Sequence, residues 1–430
     1  MRSRASRNKW CARCSLLALA LLGNLAYAGE TNRTDLPSLT QVESALGQHL
    51  LVLNAASELK MELANQRKWN SGSYEFNLRA GSAQRKIVGT GQNLKEWDVA
   101  LERPLRLFNK VGIDEDIGAA SVARAGYALG NARHEAMRTF LQLWFAWQRE
   151  QAQANLWQQQ VDILKQQAQM AEKRVKAGDA PKLDWNQAQA AAAQASVALH
   201  QARLRARLAE NDLKRQFPAI QLPDETLSTT PQTVEHDFAF WKSRILEHNH
   251  ELGMVQEQSR VQQLLARRSR ADQLPDPTVG VRYSNETGGS EKVAGIYVSV
   301  PLSFGQRSAT AEGAVQQAAI AADQEAFVKR RLEGDIQTAY TQAISNYETW
   351  QQAHEAAQAM RSNAELVAKA YSLGESSLSD SLTARRLALE SSLAETLGQL
   401  DANEARYRLL LEAHQLWPRG KEEDERSKHY

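Results

Sequence analysis

Two short turns carry the acidic residues that stand out in this chain. Gly178 is followed six positions later by Asp184, and Gly374 is followed six positions later by Asp380. Glycine suits the left-handed conformation that ends many helices, and an aspartate at the start of the next helix can accept hydrogen bonds from its free N–H groups. The two turns lie 196 positions apart, and such a repeat indicates one structural unit written twice.

Few other residues have a type and spacing that point to chemistry. His248 and His250 are two positions apart, which directs them to different sides of a helix, so we expect surface residues rather than metal ligands. The sequence contains no Gly-rich phosphate loop, no Gly-x-Ser-x-Gly and no His-Glu-x-x-His. We therefore predict no catalytic residue, no metal site, no cofactor and no enzymatic activity.

Residues 1–28 have the pattern of a signal peptide. Five basic residues precede an apolar run from Ser15 to Ala26, and Ala26-Tyr27-Ala28 follows as a cleavage site. Cys11 and Cys14 both come before the apolar run, so neither occupies the position of a lipid-anchored cysteine. We expect an exported mature protein that has no thiol, and hence neither a disulfide nor a cysteine nucleophile.

Charge excludes a further class of protein. Without residues 1–28, the chain has 47 basic and 50 acidic side chains, whereas a nucleic-acid-binding protein needs a clear basic excess. After residue 28 no apolar run reaches the ~20 residues of a transmembrane helix. Any membrane contact is therefore expected to involve strands or the protein surface.

The first repeat is predicted to cover residues 36–217. A helix to about Lys68 is followed by strands 74–81 and 94–103, in which apolar and polar residues alternate. A second helical pattern continues without proline from Asp114 to Ala177, a length of roughly 96 Å. The turn at 178–184 then leads into a return helix that is rich in alanine, so this unit ends in a long, coiled-coil-like helical hairpin.

The second repeat is predicted at residues 237–417, after a proline-containing linker at 218–236. It has the same order: a helix to about Asp272, strands 278–285 and 293–302, a long helix, a turn at 374–380 and a return helix. Residues 418–430 form a charged tail. The predicted fold is mainly α with a small β part.

The alternating strands fit two environments. Such a hairpin can pack on a soluble core, or it can belong to a membrane β-barrel, whose strands alternate in the same way. A membrane strand cannot leave its backbone edge unpaired, and the smallest bacterial barrels have about eight strands. Four strands per chain would then require several copies, and the residues alone do not choose between two and three.

Several short motifs accompany the duplicated order: Gly178–Asp184 with the following Gln187-Ala188, Leu274-Pro275-Asp276, Val298–Leu302 with Phe304-Gly305, and Gly374–Asp380 with Leu382. The order and these motifs together resemble the TolC-type outer-membrane efflux channel family, also called outer membrane factors. A chain of this size without a cysteine after the apolar run resembles the branch that serves heavy-metal cation efflux pumps rather than the lipid-anchored members.

This resemblance implies a homotrimer in the outer membrane of a Gram-negative bacterium. Three chains would form a 12-stranded barrel in the outer-membrane lipid and a periplasmic α-helical tube that contains most of each chain. The implied function is a passive exit duct for small solutes, with heavy-metal cations as one candidate cargo. The implied partners are a periplasmic adaptor and an inner-membrane pump of the resistance-nodulation-division type.

The resemblance also assigns roles to turn residues. Asp380 matches an acid that narrows the closed pore and Asp184 is its counterpart in the first repeat, while Thr383 occupies a position where the family often has another Asp. Whether the two acids line a pore or only begin a helix stays open. Adaptor docking is implied at the tips of the turns: Gly178, Asp179, Pro181, Gly374 and Glu375.

Three alternatives are compatible with parts of the pattern. One is a periplasmic or secreted coiled-coil interaction protein whose strands never enter lipid, and another is an outer-membrane channel for type I protein secretion. A periplasmic adaptor fits less well, because it needs a single hairpin with flanking β-domains rather than a duplicated unit.

Overall fold

A computed structural model describes residues 35–72, 74–223, 229–302 and 305–417. The predicted signal peptide at 1–28, the charged tail at 418–430 and Phe304 of the resemblance lie outside these residues, as does part of the 218–236 linker. None of the helices in the described ranges is both long and apolar enough to cross a membrane.

The first repeat contains four helices and two strands in the predicted order. The two helices of its terminal hairpin contact each other along their length, and the first of them has 70 residues without interruption, or roughly 105 Å. The elements are α1 (Leu39–Gly47), α2 (Leu50–Ser71), β1 (Asn77–Lys86), β2 (Asn93–Pro104), α3 (Phe108–Ala177) and α4 (Lys182–Gln216).

The second repeat follows the same order, which confirms the predicted fold class of long helical hairpins with four strands. Its long helix has 68 residues. The elements are α5 (Phe238–Glu247), α6 (His250–Ala271), β3 (Thr278–Glu286), β4 (Glu291–Ser299), α7 (Gln306–Leu373) and α8 (Leu378–Glu412), with a short 3₁₀ turn at Thr287–Gly289.

The leading helix of each repeat is broken, whereas the sequence predicts one continuous helix. The first break lies at Gln48 and His49, and the imidazole of His49 stacks on Phe217 with ring centroids 5.1 Å apart. At the second break, Asn249 begins α6 by accepting a hydrogen bond from the N–H of Leu252 at 2.8 Å. An Asn side chain that bonds to nearby backbone competes with helix continuation, and a ring contact over this distance is not visible in a local pattern.

All four strands differ from their predicted bounds, and the largest differences are in β1 (Asn77–Lys86 instead of 74–81) and β4 (Glu291–Ser299 instead of 293–302). β1 begins at Asn77 rather than 74, because Tyr74 turns towards the helices and its hydroxyl donates to the Asp276 carboxylate at 3.0 Å. β4 ends at Ser299 rather than 302, because Ser299 is paired with Thr278, the first residue of β3. The following Pro301 also has no N–H to donate.

The four strands form one antiparallel sheet in the order β1-β2-β3-β4. β2 pairs with β3, so the sheet joins the two repeats, and β1 and β4 are its edges. Along one rung the paired residues are Leu78, Leu101, Val281 and Ile296. The duplication therefore produces a single sheet with the hairpins of both repeats side by side.

The main apolar core lies far from the sheet, around the middle of α3 and the ends of α4 and α8. Phe140, Phe145 and Phe217 are completely buried there. Asp35 is also buried: its backbone carbonyl accepts from the Trp144 indole at 2.9 Å, and its carboxylate accepts from the Tyr407 hydroxyl at 2.8 Å. This core therefore fixes the segment that precedes α1 against both long hairpins.

Candidate functional site

The two Gly-containing turns end α3 and α7 with the same backbone geometry. Gly178 and Gly374 have φ of +83° and +81°. In both turns the residue after the glycine donates a hydrogen bond to the carbonyl five positions earlier. Asp179 N–H donates to Arg174 C=O and Glu375 N–H donates to Ala370 C=O, each at 2.9 Å. This pattern is the Schellman motif, and it satisfies carbonyls that the helix end would otherwise leave free.

The return helices begin differently in the two repeats. Ser377 is the N-cap of α8: its hydroxyl accepts from the N–H of Asp380 at 3.1 Å, and the Asp380 carboxylate accepts from the N–H of Ser377 at 3.3 Å. This is a capping box. In the first repeat Pro181 occupies the N-cap position and no side chain caps α4. Neither acid is itself the N-cap, because Asp184 and Asp380 are both the third residue of their helix.

The structure places the two turns next to each other. The guanidinium of Arg174 lies 5.1 Å from the centroid of the Tyr371 ring, and it donates to the Tyr371 carbonyl at 3.3 Å. Deeper between the helices, the Gln167 amide donates to the hydroxyl of Ser381 at 3.1 Å, and both side chains are buried. Contacts of α3 with α7 and α8 therefore join the tip of one repeat to that of the other.

A small apolar cluster completes this junction. Its members are alanines and larger side chains from all four long helices: Ala171, Ala188, Tyr371 and Leu378, with Ala168, Trp185 and Leu382 packed against them. Alanine at these positions lets the helix backbones approach closely. The hydroxyl of Tyr371 is buried in this junction without a hydrogen-bond partner.

The predicted site residues occupy one end of the molecule. All five predicted docking residues are exposed in the single chain, as are Asp380 and Thr383, whereas Asp184 is half-buried. The residues that join the turns, Arg174, Gln167, Tyr371 and Ser381, were not identified in the sequence. Only Arg174 had a local signal, because a cation in the last turn of a helix is favoured by the helix dipole.

The sheet at the other end has two unlike faces. The rung of Leu78, Leu101, Val281 and Ile296 is exposed, with Ile296 at 80% and Leu78 at 72% of their maximal accessibility. The opposite face is polar: the Tyr297 hydroxyl donates to Glu102 at 2.5 Å, and Arg282 lies 3.8 Å from Asp98. The apolar side chains thus lie on one face and the charged pairs mostly on the other.

A charged cluster connects this sheet to the helices. Lys110 is completely buried, and its ammonium contacts the carboxylates of Asp276 at 2.9 Å and Asp272 at 3.1 Å. Partial burial alone would raise the pKa of Asp276, but hydrogen bonds from Lys110, the Leu107 N–H and Tyr74 hold that pKa below its ordinary value. Burial and the bond to Asp276 raise the pKa of Tyr74 to about 12. Asp276 therefore remains ionised and holds strand and helix ends together.

The two histidines of the sequence analysis are partly exposed, but they do not lie on one helix as the sequence suggests. His248 and His250 are half-buried on either side of the break between α5 and α6, so they do not share one helix. The His250 ring lies 5.1 Å from that of His414, and the His414 ring lies 5.2 Å from that of His134. No group of three or more His, Cys, Asp or Glu side chains in the described ranges is placed to hold a metal ion.

Comparison with known proteins agrees with this architecture. Residues 43–216 match the sequence profile of the family described as "Outer membrane efflux protein". No curated protein matches the sequence. The profile therefore covers most of the first repeat.

Solved structures extend the similarity to the rest of the chain. The CmeC outer membrane channel of Campylobacter jejuni has 15% identity and a TM-score of 0.75, and the match covers 98% of both chains. The outer membrane protein VceC of Vibrio cholerae has 15% identity and a TM-score of 0.71, over 89% of this chain and 96% of VceC. CusC, described as forming a transmembrane channel, has 14% identity and a TM-score of 0.69, and the match covers 89% of this chain and 92% of CusC. Residues 43–216 are thus similar to the outer membrane efflux protein family, and the described chain as a whole has the fold of these solved outer-membrane channels.

Proposed function

We propose that this protein is the outer-membrane exit channel of a tripartite efflux system, a passive duct rather than an enzyme. The observation that carries the proposal is the sheet, which has an exposed apolar face, a polar opposite face and two edge strands, β1 and β4. Unpaired edges are not tolerated in lipid. Three copies would pair β4 of one chain with β1 of the next and close a barrel of 12 strands.

In this arrangement the helical hairpins extend from the barrel through the periplasm. With α3 at 70 residues, the tube would reach roughly 100 Å beyond the membrane. The two turns then surround the far mouth, where the exposed Gly178, Asp179, Pro181, Gly374 and Glu375 dock onto a periplasmic adaptor. An inner-membrane pump of the resistance-nodulation-division type supplies the energy.

Asp380 is the proposed constriction of this mouth. Its side chain is exposed although it also accepts hydrogen bonds within the capping box, so capping and pore lining do not exclude each other. A ring of three such carboxylates would attract cations. Asp184 and Thr383 would line the same region, with Asp184 less accessible because it is half-buried.

The membrane part of the proposal is tested with one matched pair of variants. Ile296→Lys places a charge on the apolar face of β4, and Tyr297→Lys places it on the polar face, opposite Glu102. A lysine in the middle of a lipid-facing strand costs ~2–4 kcal/mol. Outer-membrane fractionation with heat-modifiable migration on gels should show loss of assembled protein for Ile296→Lys only. Recovery of the parent protein solely in the soluble periplasm would instead favour a coiled-coil interaction protein.

Adaptor docking can be tested at the tips, because the chain has no cysteine after Cys14. Glu375→Cys introduces a single reactive site at the second turn, and Arg215→Cys, an exposed position at the far end of α4, is the control. We expect cross-linking to a periplasmic adaptor from Glu375→Cys alone. Cross-links to secreted protein substrates from the same site would favour a type I secretion channel.

Heavy-metal cations are the narrower cargo that we propose, on the basis of the sequence resemblance to that branch. The test is growth of a deletion strain on zinc, copper and cobalt salts, compared with growth on organic toxic compounds. If the deletion strain is sensitive to the organic compounds alone, the metal cargo is rejected and the proposal of an exit channel still holds.

A further inference from the structure

Charged side chains at the loop end of the sheet are sorted by face. Side chains alternate along a strand, and the apolar face is defined by the rung that contains Leu101 and Ile296. By this alternation three lysines lie on the apolar face: Lys86 in β1, Lys95 in β2 and Lys292 in β4. Three glutamates at the same end lie on the polar face: Glu96, Glu286 and Glu291.

The glutamates find partners on their own face. The Arg85 guanidinium lies 2.6 Å from Glu96 and 3.9 Å from Glu286. Glu96 also accepts from the N–H of Thr287 at 2.9 Å, and Glu291 accepts from the Thr287 hydroxyl at 3.0 Å. The three glutamates therefore connect the strands and the Thr287 turn at this end of the sheet.

The lysines are exposed and have no acidic partner. None of Lys86, Lys95 and Lys292 takes part in an ion pair with any residue in the described ranges, and each is exposed. One rung below Lys95, Trp97 lies on the same face, with its ring 5.7 Å from Tyr283. Aromatic side chains of this kind are enriched where a membrane meets water.

The opposite end of the apolar face also carries a cation. Arg103 lies on this face in β2, and its guanidinium is 4.8 Å from the centroid of the Phe76 ring. Lys95 and Arg103 are eight residues apart, which corresponds to about 27 Å along a strand, or roughly 20 Å along the membrane normal at a strand tilt of about 40°. The apolar band of a membrane barrel is ~25 Å tall, and long cationic side chains extend towards its edges, so the two cations lie close to the two lipid surfaces.

We infer that Lys86, Lys95 and Lys292 form a lysine rim that binds phosphate groups of the lipid in the outer leaflet. The inference rests on the proposed barrel. Lysine is a compact cation that suits phosphate as a point charge, and an apolar surface directly below it accommodates acyl chains. The partner is thus an anionic, phosphorylated membrane lipid.

The experiment compares lipid binding to the full-length protein purified in detergent. The probe is bisphosphorylated lipid A in mixed micelles, and bound lipid is measured by native mass spectrometry. The test variant combines Lys86→Gln, Lys95→Gln and Lys292→Gln. The control combines Lys165→Gln, Lys329→Gln and Lys369→Gln, which removes the same charge from exposed helix positions.

Each lysine near a lipid surface should strengthen binding about fivefold, so the test variant should bind roughly a hundredfold more weakly than the parent. The control variant and a triple Lys→Arg variant at the rim should bind like the parent. Dephosphorylated lipid A and inorganic phosphate should bind poorly to all four proteins. Equal lipid A binding by parent and test variant, or equal binding of dephosphorylated lipid, would overturn the lysine rim.

Failure of the rim is distinguishable from failure of the channel proposal. If the test variant still fractionates with the outer membrane but lipid binding does not depend on phosphate, only the lysine rim is wrong. If the parent protein is not recovered from the outer membrane, the barrel itself is wrong, and the rim with it.

Discussion

The two turns have one kind of helix end but two kinds of helix start. Gly178 and Gly374 adopt the same left-handed conformation and close the same hydrogen bonds. After the turn, α8 begins with the capping box of Ser377 and Asp380, whereas α4 begins at Pro181 with no side-chain cap. The two turns thus have the same backbone geometry but different side-chain hydrogen bonds. In the second turn Asp380 takes part in the capping box, and near the first turn Arg174 contacts Tyr371 of the second repeat.

The largest effects are expected at the feature that the two turns share. Gly178→Val and Gly374→Val each force a β-branched residue into a left-handed conformation, at a cost of ~1–3 kcal/mol. Hydrogen exchange of the flanking amides should rise by a similar factor in both variants. Nothing lies within 4 Å of the added Cβ at either position, so a clear difference between the two variants would show that the turns are not equivalent.

The contact between the turns should be next in size. Arg174→Gln removes the cation from the Tyr371 ring and weakens the bond to its carbonyl, which together should cost about 1–2 kcal/mol. Faster exchange should appear in the last turn of α7 as well as in that of α3. Lys173→Gln removes a neighbouring exposed charge and is the control. Exchange limited to α3 would contradict coupling of the two tips.

The difference between the helix starts predicts an unequal response to alanine. Ser377→Ala removes the N-cap hydroxyl and should destabilise the first turn of α8 by about 1 kcal/mol. Pro181→Ala at the matching position removes no side-chain hydrogen bond, so the first turn of α4 should change by only a few tenths of a kcal/mol. Hydrogen exchange of the amides in residues 182–186 and 378–382 measures the stability of the two first turns. Equal changes in the two variants would show that the capping box does not distinguish α8 from α4.

The smallest effect is expected from Tyr371→Phe, and its sign is informative. The hydroxyl of Tyr371 is buried without a hydrogen-bond partner, so its removal should be neutral or stabilise the junction by up to ~1 kcal/mol. The ring that contacts Arg174 is retained. Tyr371→Leu removes the ring and should resemble Arg174→Gln. A thermal melt of the purified protein would show a lower melting temperature for Tyr371→Phe if the hydroxyl had a bonded role.

The local pattern predicted much of the fold because most elements depend on neighbouring residues. The lengths of α3 and α7 follow from the absence of proline, and the turns follow from Gly178 and Gly374. The strand bounds shifted where a distant partner decided them, as Asp276 does for Tyr74. The pairing of β2 with β3 was also not predicted, because it joins residues about 180 positions apart.

The candidate site likewise contains residues that a local pattern predicts and residues that only distant contacts define. The exposed tip residues were found because glycine, proline and acids mark a turn locally. Arg174 and Tyr371 were missed, and so was the buried Lys110, because their roles depend on contacts over more than 160 positions. A contact over a comparable distance, between His49 and Phe217, lies at the first helix break, whereas the second break depends on the local capping of α6 by Asn249.

The most direct test of the proposed channel is the ion conductance of the purified protein in a planar lipid bilayer. The parent protein should form discrete, cation-preferring channels. Asp380→Ala should raise the conductance and reduce the cation preference, and the half-buried Asp184→Ala should do so less. An absence of conductance from correctly assembled protein would contradict the channel, and unchanged conductance and selectivity in Asp380→Ala would contradict a constriction at the second turn.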